Sequence, residues 1–212
     1  MLEVVWRRRH FIAAVLAGSY ATVRAAAPRT ILIVGDSISA EYGLPRGTGW
    51  VPLLQKRLAE QKIEARVVNA SISGDTTSGG RSRLPALLAQ HKPDVVVIEL
   101  GGNDALRGLP HQMTQDNLTR MVDDAQKAGA KVLLVGIEMP PNYGAEYAKR
   151  FAAIFGNVGR ARKVPVVQSI FAGLDEGGDA QRWFQPDRIH PNAQAQAKLL
   201  DNVWPELKKL LR

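Results

Sequence analysis

Between Val95 and Leu100 the chain reads Val-Val-Val-Ile-Glu-Leu, nearly all apolar and mostly β-branched. That composition suits a strand covered on both faces, as strands of parallel sheets are. Ile31–Val34 is a second short apolar run, and it ends in Gly35. Arg66–Asn69, Lys131–Gly136 and Val164–Gln168 read as three more strands. Helical spacing fills the gaps between them. Trp50 to Glu60 puts Val51, Leu54 and Leu58 on one side. Arg81 to Gln90 is a second helix. Gln112 to Ala128 is a third, with Leu118, Met121, Val122 and Ala125 in register and Gly129 as its stop. Tyr147 to Arg162 and Asn192 to Leu211 are the last two, with a kink expected at Pro205. Strands and helices alternate five times. The pattern predicts an α/β sandwich with a mostly parallel sheet, because parallel strands need helical crossovers that cover both faces.

Composition agrees with one such domain. The chain has 212 residues, 45% of them apolar, enough to build a core. It has no cysteine, which excludes a disulfide scaffold, a thiolate zinc site and a cysteine nucleophile. No apolar run reaches the ~18 residues of a membrane span. Heptads, a Gly-X-Y period and internal repeats are absent from the sequence.

Residues 1–27 differ from the rest. Arg7, Arg8, Arg9 and His10 precede a mostly apolar stretch, Phe11 to Val23, and then Ala25, Ala26 and Ala27. This is the layout of a signal peptide: basic start, short apolar middle, small-residue cleavage site. The expected organisation is a leader over 1–27 and one folded domain over 28–212, in a periplasmic or secreted protein. Pro28 fits poorly directly after a cut, so cleavage after Ala25 suits the residues better. Arg8-Arg9-His10-Phe11-Ile12 also resembles a twin-arginine signal, and both export routes stay open. Loss of four Arg and one Glu takes the net charge from +8 to +5. The remaining basic residues are scattered. Clusters such as Arg81/Arg83 and Arg160/Arg162/Lys163 read as solvated helix faces, and no nucleic-acid partner is expected.

Ligands on such sheets bind beyond the carboxyl ends of the strands. The residues there are therefore the informative ones. After the first strand comes Gly35-Asp36-Ser37-Ile38-Ser39, which puts a serine on a tight strand-to-helix turn. Taken alone, this is also ordinary turn and cap chemistry. After the second comes Asn69-Ala70-Ser71-Ile72-Ser73-Gly74-Asp75-Thr76, where the Gly74 N–H could face a developing oxyanion. After the third comes Gly101-Gly102-Asn103-Asp104, where Asn103 offers an amide donor. Near the C-terminus, Asp187 and His190 are three residues apart in a turn. The carboxylate could orient the imidazole and leave its other nitrogen free as a base. His10 lies in the leader, His91 ends a helix and His111 precedes one. None of the three belongs to this set, and no histidine–carboxylate cluster has metal-ligand spacing.

Each feature alone is ordinary. Together they supply a nucleophile, oxyanion donors, a base and an orienting acid, in chain order. On these four blocks the sequence resembles the SGNH, or GDSL, hydrolases. Val68 to Thr76, Arg83 to Leu88, Glu99 to Asp104 and Pro141-Asn142-Tyr143-Gly144 further resemble the family's bacterial periplasmic arylesterase and thioesterase/lysophospholipase branch. Ile38 stands where Leu is commoner.

The resemblance implies a three-layer, five-stranded, flavodoxin-like α/β/α sandwich. It implies a triad of Ser37, Asp187 and His190, with oxyanion donors from Ser37, Gly74 and Asn103. The acyl ester or thioester substrate would meet Asp36, Thr76, Leu106, Met139, Asn142 and Ile189, with Leu109 as a further apolar contact. Asp36 is expected chiefly to support its turn, and Arg188 to salt-bridge or tune Asp187. Thr76 to Gly80 is expected as a mobile loop and Met139 to Tyr143 as a wall. No cofactor, no metal, no membrane span after leader removal and a monomer are expected. An O-acetyl esterase of cell-wall or other polysaccharide is the alternative reading. A non-catalytic lipid- or glycan-binding domain is a remoter one.

Overall fold

A computed structural model describes residues 28–139, 143–174 and 182–212. The leader and Asn142 lie outside the described residues. The five strands are β1 (Arg29–Gly35), β2 (Ala65–Asn69), β3 (Val95–Glu99), β4 (Lys131–Val135) and β5 (Val166–Val167). All pair in parallel, in the order β2-β1-β3-β4-β5. That is the flavodoxin-like order of a doubly wound sheet.

Among the described residues, five α-helices lie between the strands and a sixth follows the last: α1 (Trp50–Glu60), α2 (Thr77–His91), α3 (Gly102–Leu106), α4 (His111–Lys127), α5 (Ala145–Arg162) and α6 (Gln196–Leu210). α1 packs with α6, and α4 packs with both α2 and α5, giving two helical layers around the sheet. Ile31 to Val34 and Val95 to Ile98 are fully buried. Leu54 and Leu58 of α1, Leu118 and Met121 of α4, and Leu199 and Val203 of α6 complete the core.

Three expectations about boundaries change. The segment Thr76 to Gly80 is the cap and first turn of α2, not a loop. Thr76 Oγ1 accepts from Gly79 N at 3.3 Å, and Gly80 N donates to Thr76 O at 2.9 Å. Gly80 is there for close packing: a Cβ on it would lie 2.2 Å from Leu100 Cδ1. β5 shortens to two residues, because Val164 N closes the end of α5 on Gly159 O at 3.0 Å. The closing helix begins with a 3-10 turn, Ala193–Ala195, before α6 continues through Pro205.

Two capping contacts hold the sheet's carboxyl edge together. Glu41 accepts from Gly47 N and Gly49 N, at 2.9 and 2.7 Å, ahead of α1. Buried Gln196 Oε1 accepts from Trp50 N at 3.0 Å, and its amide donates to Asn192 O at 3.1 Å. The start of α6 is thereby tied to the start of α1, and an orphan backbone donor of α1 is satisfied.

Beyond β4, Gly136 N donates to Val167 O and Gly136 O accepts from Ile170 N, both at 2.8 Å. A Cβ at Gly136 would sit 2.3 Å from the Gln168 carbonyl oxygen. Backbone cannot yield as a side-chain tip can. Gly136→Ala should therefore cost roughly 1–3 kcal/mol of stability or more, read as a lower urea midpoint at unchanged slope.

Candidate active site

β1 delivers the chain to the carboxyl edge at Gly35, where it turns at once. Ala40 N donates to Asp36 O at 2.9 Å, and Tyr42 N to Ser37 O at 3.1 Å. Asp36 Oδ1 accepts from Ile38 N at 3.1 Å. Asp36 is thus the cap of its own turn, as expected, and only 2% exposed. It offers little surface to a substrate. Its Oδ2 accepts from Asn103 Nδ2 at 3.1 Å, so it aims the amide of a residue on the next strand's loop.

The loop after β2 is laced to β1. Ala70 N donates to Ile33 O, and Ile72 N to Gly35 O at 3.1 Å. Gly74 has a φ of +80°, a conformation glycine adopts without a Cβ penalty. The N–H groups of Ser37 and Gly74 donate to no protein group among the described residues. Arg83 of α2 supports this loop from below. Its Nε pairs with Asp75 Oδ2 at 2.8 Å, and its terminal nitrogens donate to Gly35 O and Ala70 O. The solvated face expected at Arg81/Arg83 is therefore corrected at Arg83, whose side chain is 20% exposed.

Asn103 lies in α3. The neighbouring Asp104 is fully buried and accepts from Thr77 N at 2.8 Å, from Thr77 Oγ1, and from Thr114 Oγ1 at 3.4 Å. This carboxylate therefore joins the helix that follows Gly74 to the helix that carries Asn103. Arg107 closes the rim, donating to Gly74 O at 2.9 Å.

The C-terminal turn supplies the histidine. Asp187 Oδ1 accepts from Ile189 N at 2.9 Å and His190 N at 3.1 Å. Asp187 Oδ2 lies 2.6 Å from His190 Nδ1, and His190 Nε2 lies 2.9 Å from Ser37 Oγ. Burial pushes the Asp187 carboxyl up, but the imidazole and the two backbone N–H groups outweigh it and hold it below the ordinary range. An ionised Asp187 can only accept, so Nδ1 carries the hydrogen. Nε2 is then left to accept from the serine. Gln185 Nε2 donates to Tyr42 O at 2.8 Å and ties this turn to the serine's turn. The Tyr42 and His190 ring centroids are 4.4 Å apart. Arg188 does not pair with Asp187 among the described residues. It takes a left-handed φ of 58°, and its N–H donates to Gln185 O.

The six expected substrate contacts separate. Thr76 caps α2, Leu106 and Met139 pack against the core, and Asn142 is outside the described residues. Ile189, 37% exposed, is the large apolar member facing solvent. A cleft of about 490 Å³ past α3 is lined by Leu109, Pro110, His111 and Tyr147, among others. Tyr42 and Ile72, each about half exposed, were not singled out from sequence. Large apolar residues in the same loops as Ser37 and Gly74 were the available signal.

Among the described residues no group of three or more histidines and carboxylates is gathered as a metal site would be.

Comparison with known proteins places the chain in a family. A sequence model of the GDSL-like Lipase/Acylhydrolase family matches residues 33–198. The chain is 54% identical over 186 residues to Esterase TesA of Pseudomonas aeruginosa, covering 88% of this chain and 91% of that one. It is 42% identical over 190 residues to Thioesterase 1/protease 1/lysophospholipase L1 of Escherichia coli K12, covering 90% and 88%. A crystal structure of TesA superposes with a TM-score of 0.83 at 54% identity, covering 86% of this chain and 99% of that one.

Burial raises the Asp36 carboxyl from 3.8 to about 6, against hydrogen bonds from Ile38 and Asn103 and the His190 charge that favour its ionised form. The native state therefore binds this proton more tightly than the unfolded chain. Its stabilisation is complete below the unfolded value of 3.8 and is lost as pH rises through about 6. Denaturant unfolding of wild type and Asp36→Asn should show this. Over that interval wild type loses stability relative to the variant, and parallel curves would contradict it.

Proposed function

This chain belongs to the GDSL-like lipase/acylhydrolase family and is a hydrolase of ester bonds, and from that premise we propose that it is an exported serine esterase of acyl esters and thioesters. The observation that carries the mechanism is the relay Asp187–His190–Ser37, with steps of 2.6 and 2.9 Å.

Ser37 Oγ attacks the acyl carbonyl as His190 Nε2 takes its proton. Asp187 holds the tautomer and stabilises the imidazolium that forms. The carbonyl oxygen becomes an oxyanion. It is met by the N–H groups of Ser37 and Gly74 and by the Asn103 amide, which Asp36 orients through its other hydrogen. Donors fixed before the reaction lower the barrier without reorganising during it. His190 returns the proton to the leaving alcohol or thiol. A water then repeats the sequence on the acyl-enzyme, and the free acid leaves.

The names of the relatives support arylesters, acyl-thioesters and lysophospholipids as substrates. The exposed apolar side chains of Tyr42, Ile72 and Ile189 suit an acyl chain or an apolar leaving group at the site's mouth. The leader-like composition of residues 1–27 supports export. No helix among the described residues is long and apolar enough to cross a membrane.

Steady-state kinetics on nitrophenyl esters from acetyl to palmitoyl test the proposal. kcat/KM should peak at medium or long chains and vanish in Ser37→Ala. Activity confined to acetyl would move the reading to deacetylation, and turnover in Ser37→Ala would refute the nucleophile. Asn103→Ala should stay folded and lose about 10²–10³ in kcat, the cost of one oxyanion donor.

A further inference from the structure

Glu99 is the last residue of β3 and is fully buried. No lysine or arginine pairs with it among the described residues. A buried carboxyl without a cationic partner needs a reason. Its contacts supply one. Glu99 Oε2 accepts from Ser39 Oγ at 2.7 Å and lies 3.4 Å from Asp36 N, which points at it. Ser39 Oγ in turn accepts from Trp50 Nε1 at 3.2 Å. Ser39 O accepts from Asn69 Nδ2 at 2.8 Å. These bonds grip the residues on either side of Ser37, Asp36 before it and Ser39 after it, from beneath.

The sheet register makes this possible. Gly35 is the direct neighbour of Glu99 across the β1–β3 pair. A Cβ on Gly35 would lie 2.7 Å from Glu99 Oε2 and 2.8 Å from Ser39 Oγ. The glycine before the serine thus leaves room for the carboxyl of the next strand.

Resting on the serine-esterase reading above, we infer that Glu99 is a positioning residue for the nucleophile, holding the Asp36–Ser39 turn as a neutral hydrogen-bonding group. Three features agree with neutrality. The group is cut off from water, its neighbour Asp36 is a second carboxyl, and its Oε1 has no hydrogen-bond partner. A bare charge on an unpaired buried oxygen costs far more than a hydroxyl there. Desolvation, then the Asp36 charge, pushes this carboxyl well above the ordinary range. Oε2 receives both donors, so Oε1 carries the hydrogen.

The test compares wild type, Ser37→Ala, Glu99→Gln, Glu99→Leu and Ser39→Ala on one medium-chain nitrophenyl ester, with thermal melts alongside. Glutamine keeps the acceptor oxygen and the neutral head. Glu99→Gln should hold kcat within about threefold of wild type, whereas Glu99→Leu and Ser39→Ala should lose about 10–100-fold in kcat at little-changed KM. If Glu99→Leu fails to fold, Glu99→Gln and Ser39→Ala carry the decision. Folded Ser39→Ala with wild-type kcat overturns the positioning role. Glu99→Gln falling as far as the leucine or alanine variants overturns neutrality. Wild type without Ser37-dependent turnover overturns the serine-esterase reading itself, and this inference with it. Wild type active and every Glu99 and Ser39 variant equally active overturns this inference alone.

Discussion

β1 and β3 lose water on both faces, and the rest of the molecule follows from that. A strand covered twice needs two helical layers, and parallel neighbours need crossovers to reach them. Each crossover begins at the same edge of the sheet. Ser37, Gly74 and Asn103 are all reached within a few residues of leaving β1, β2 and β3. They come from three stretches of chain yet share one edge. The fold therefore concentrates the chemistry without any local sequence signal for proximity.

The histidine arrives differently. His190 lies 153 positions from Ser37. Nothing in the sheet register brings it there. Gln196 ties α6 to the start of α1, and Gln185 ties the histidine turn to Tyr42. These two side-chain contacts dock the last loop on the first. The ordering cost of that loop is offset by buried packing of α6 against α1 and the sheet.

Three buried acids surround the site, each with a different set of hydrogen-bond donors. Asp104 collects donors from α2 and α4 and acts as a clamp between the helix that follows Gly74 and the helix that carries Asn103. Asp36 sits between a cap and the Asn103 amide, with an environment that leaves its ionisation near about 6. Glu99 has donors on one oxygen only. Low dielectric makes each of these bonds stronger and each missing partner costlier. Such groups fix a turn more sharply than apolar packing can, because a hydrogen bond specifies direction as well as distance.

Much of this was legible beforehand. Alternating apolar runs and helical spacing marked all five strands, because burial on two faces selects composition residue by residue. The four blocks around Ser37, Gly74, Asn103 and Asp187–His190 named groups at the strand ends, of which the structure brings Asp187, His190 and Ser37 into hydrogen-bonding contact. The start of α2 was misread, since Gly79 and Gly80 look like loop residues until Asp75 is seen against Gly79 and Leu100 against Gly80. Arg83 looked like a solvated face until its reach to Asp75 and Gly35 was visible. Glu99 passed as one polar residue in an apolar run. What the sequence determined by itself was the order of elements and the kinds of group at the strand ends, because periodicity and side-chain chemistry are local. What only the tertiary structure decided was which distant groups meet: Glu99 under Ser39, Asp36 against Asn103, His190 on Ser37. Those contacts depend on sheet register and loop docking, and neither leaves a trace in the spacing of residues along one chain.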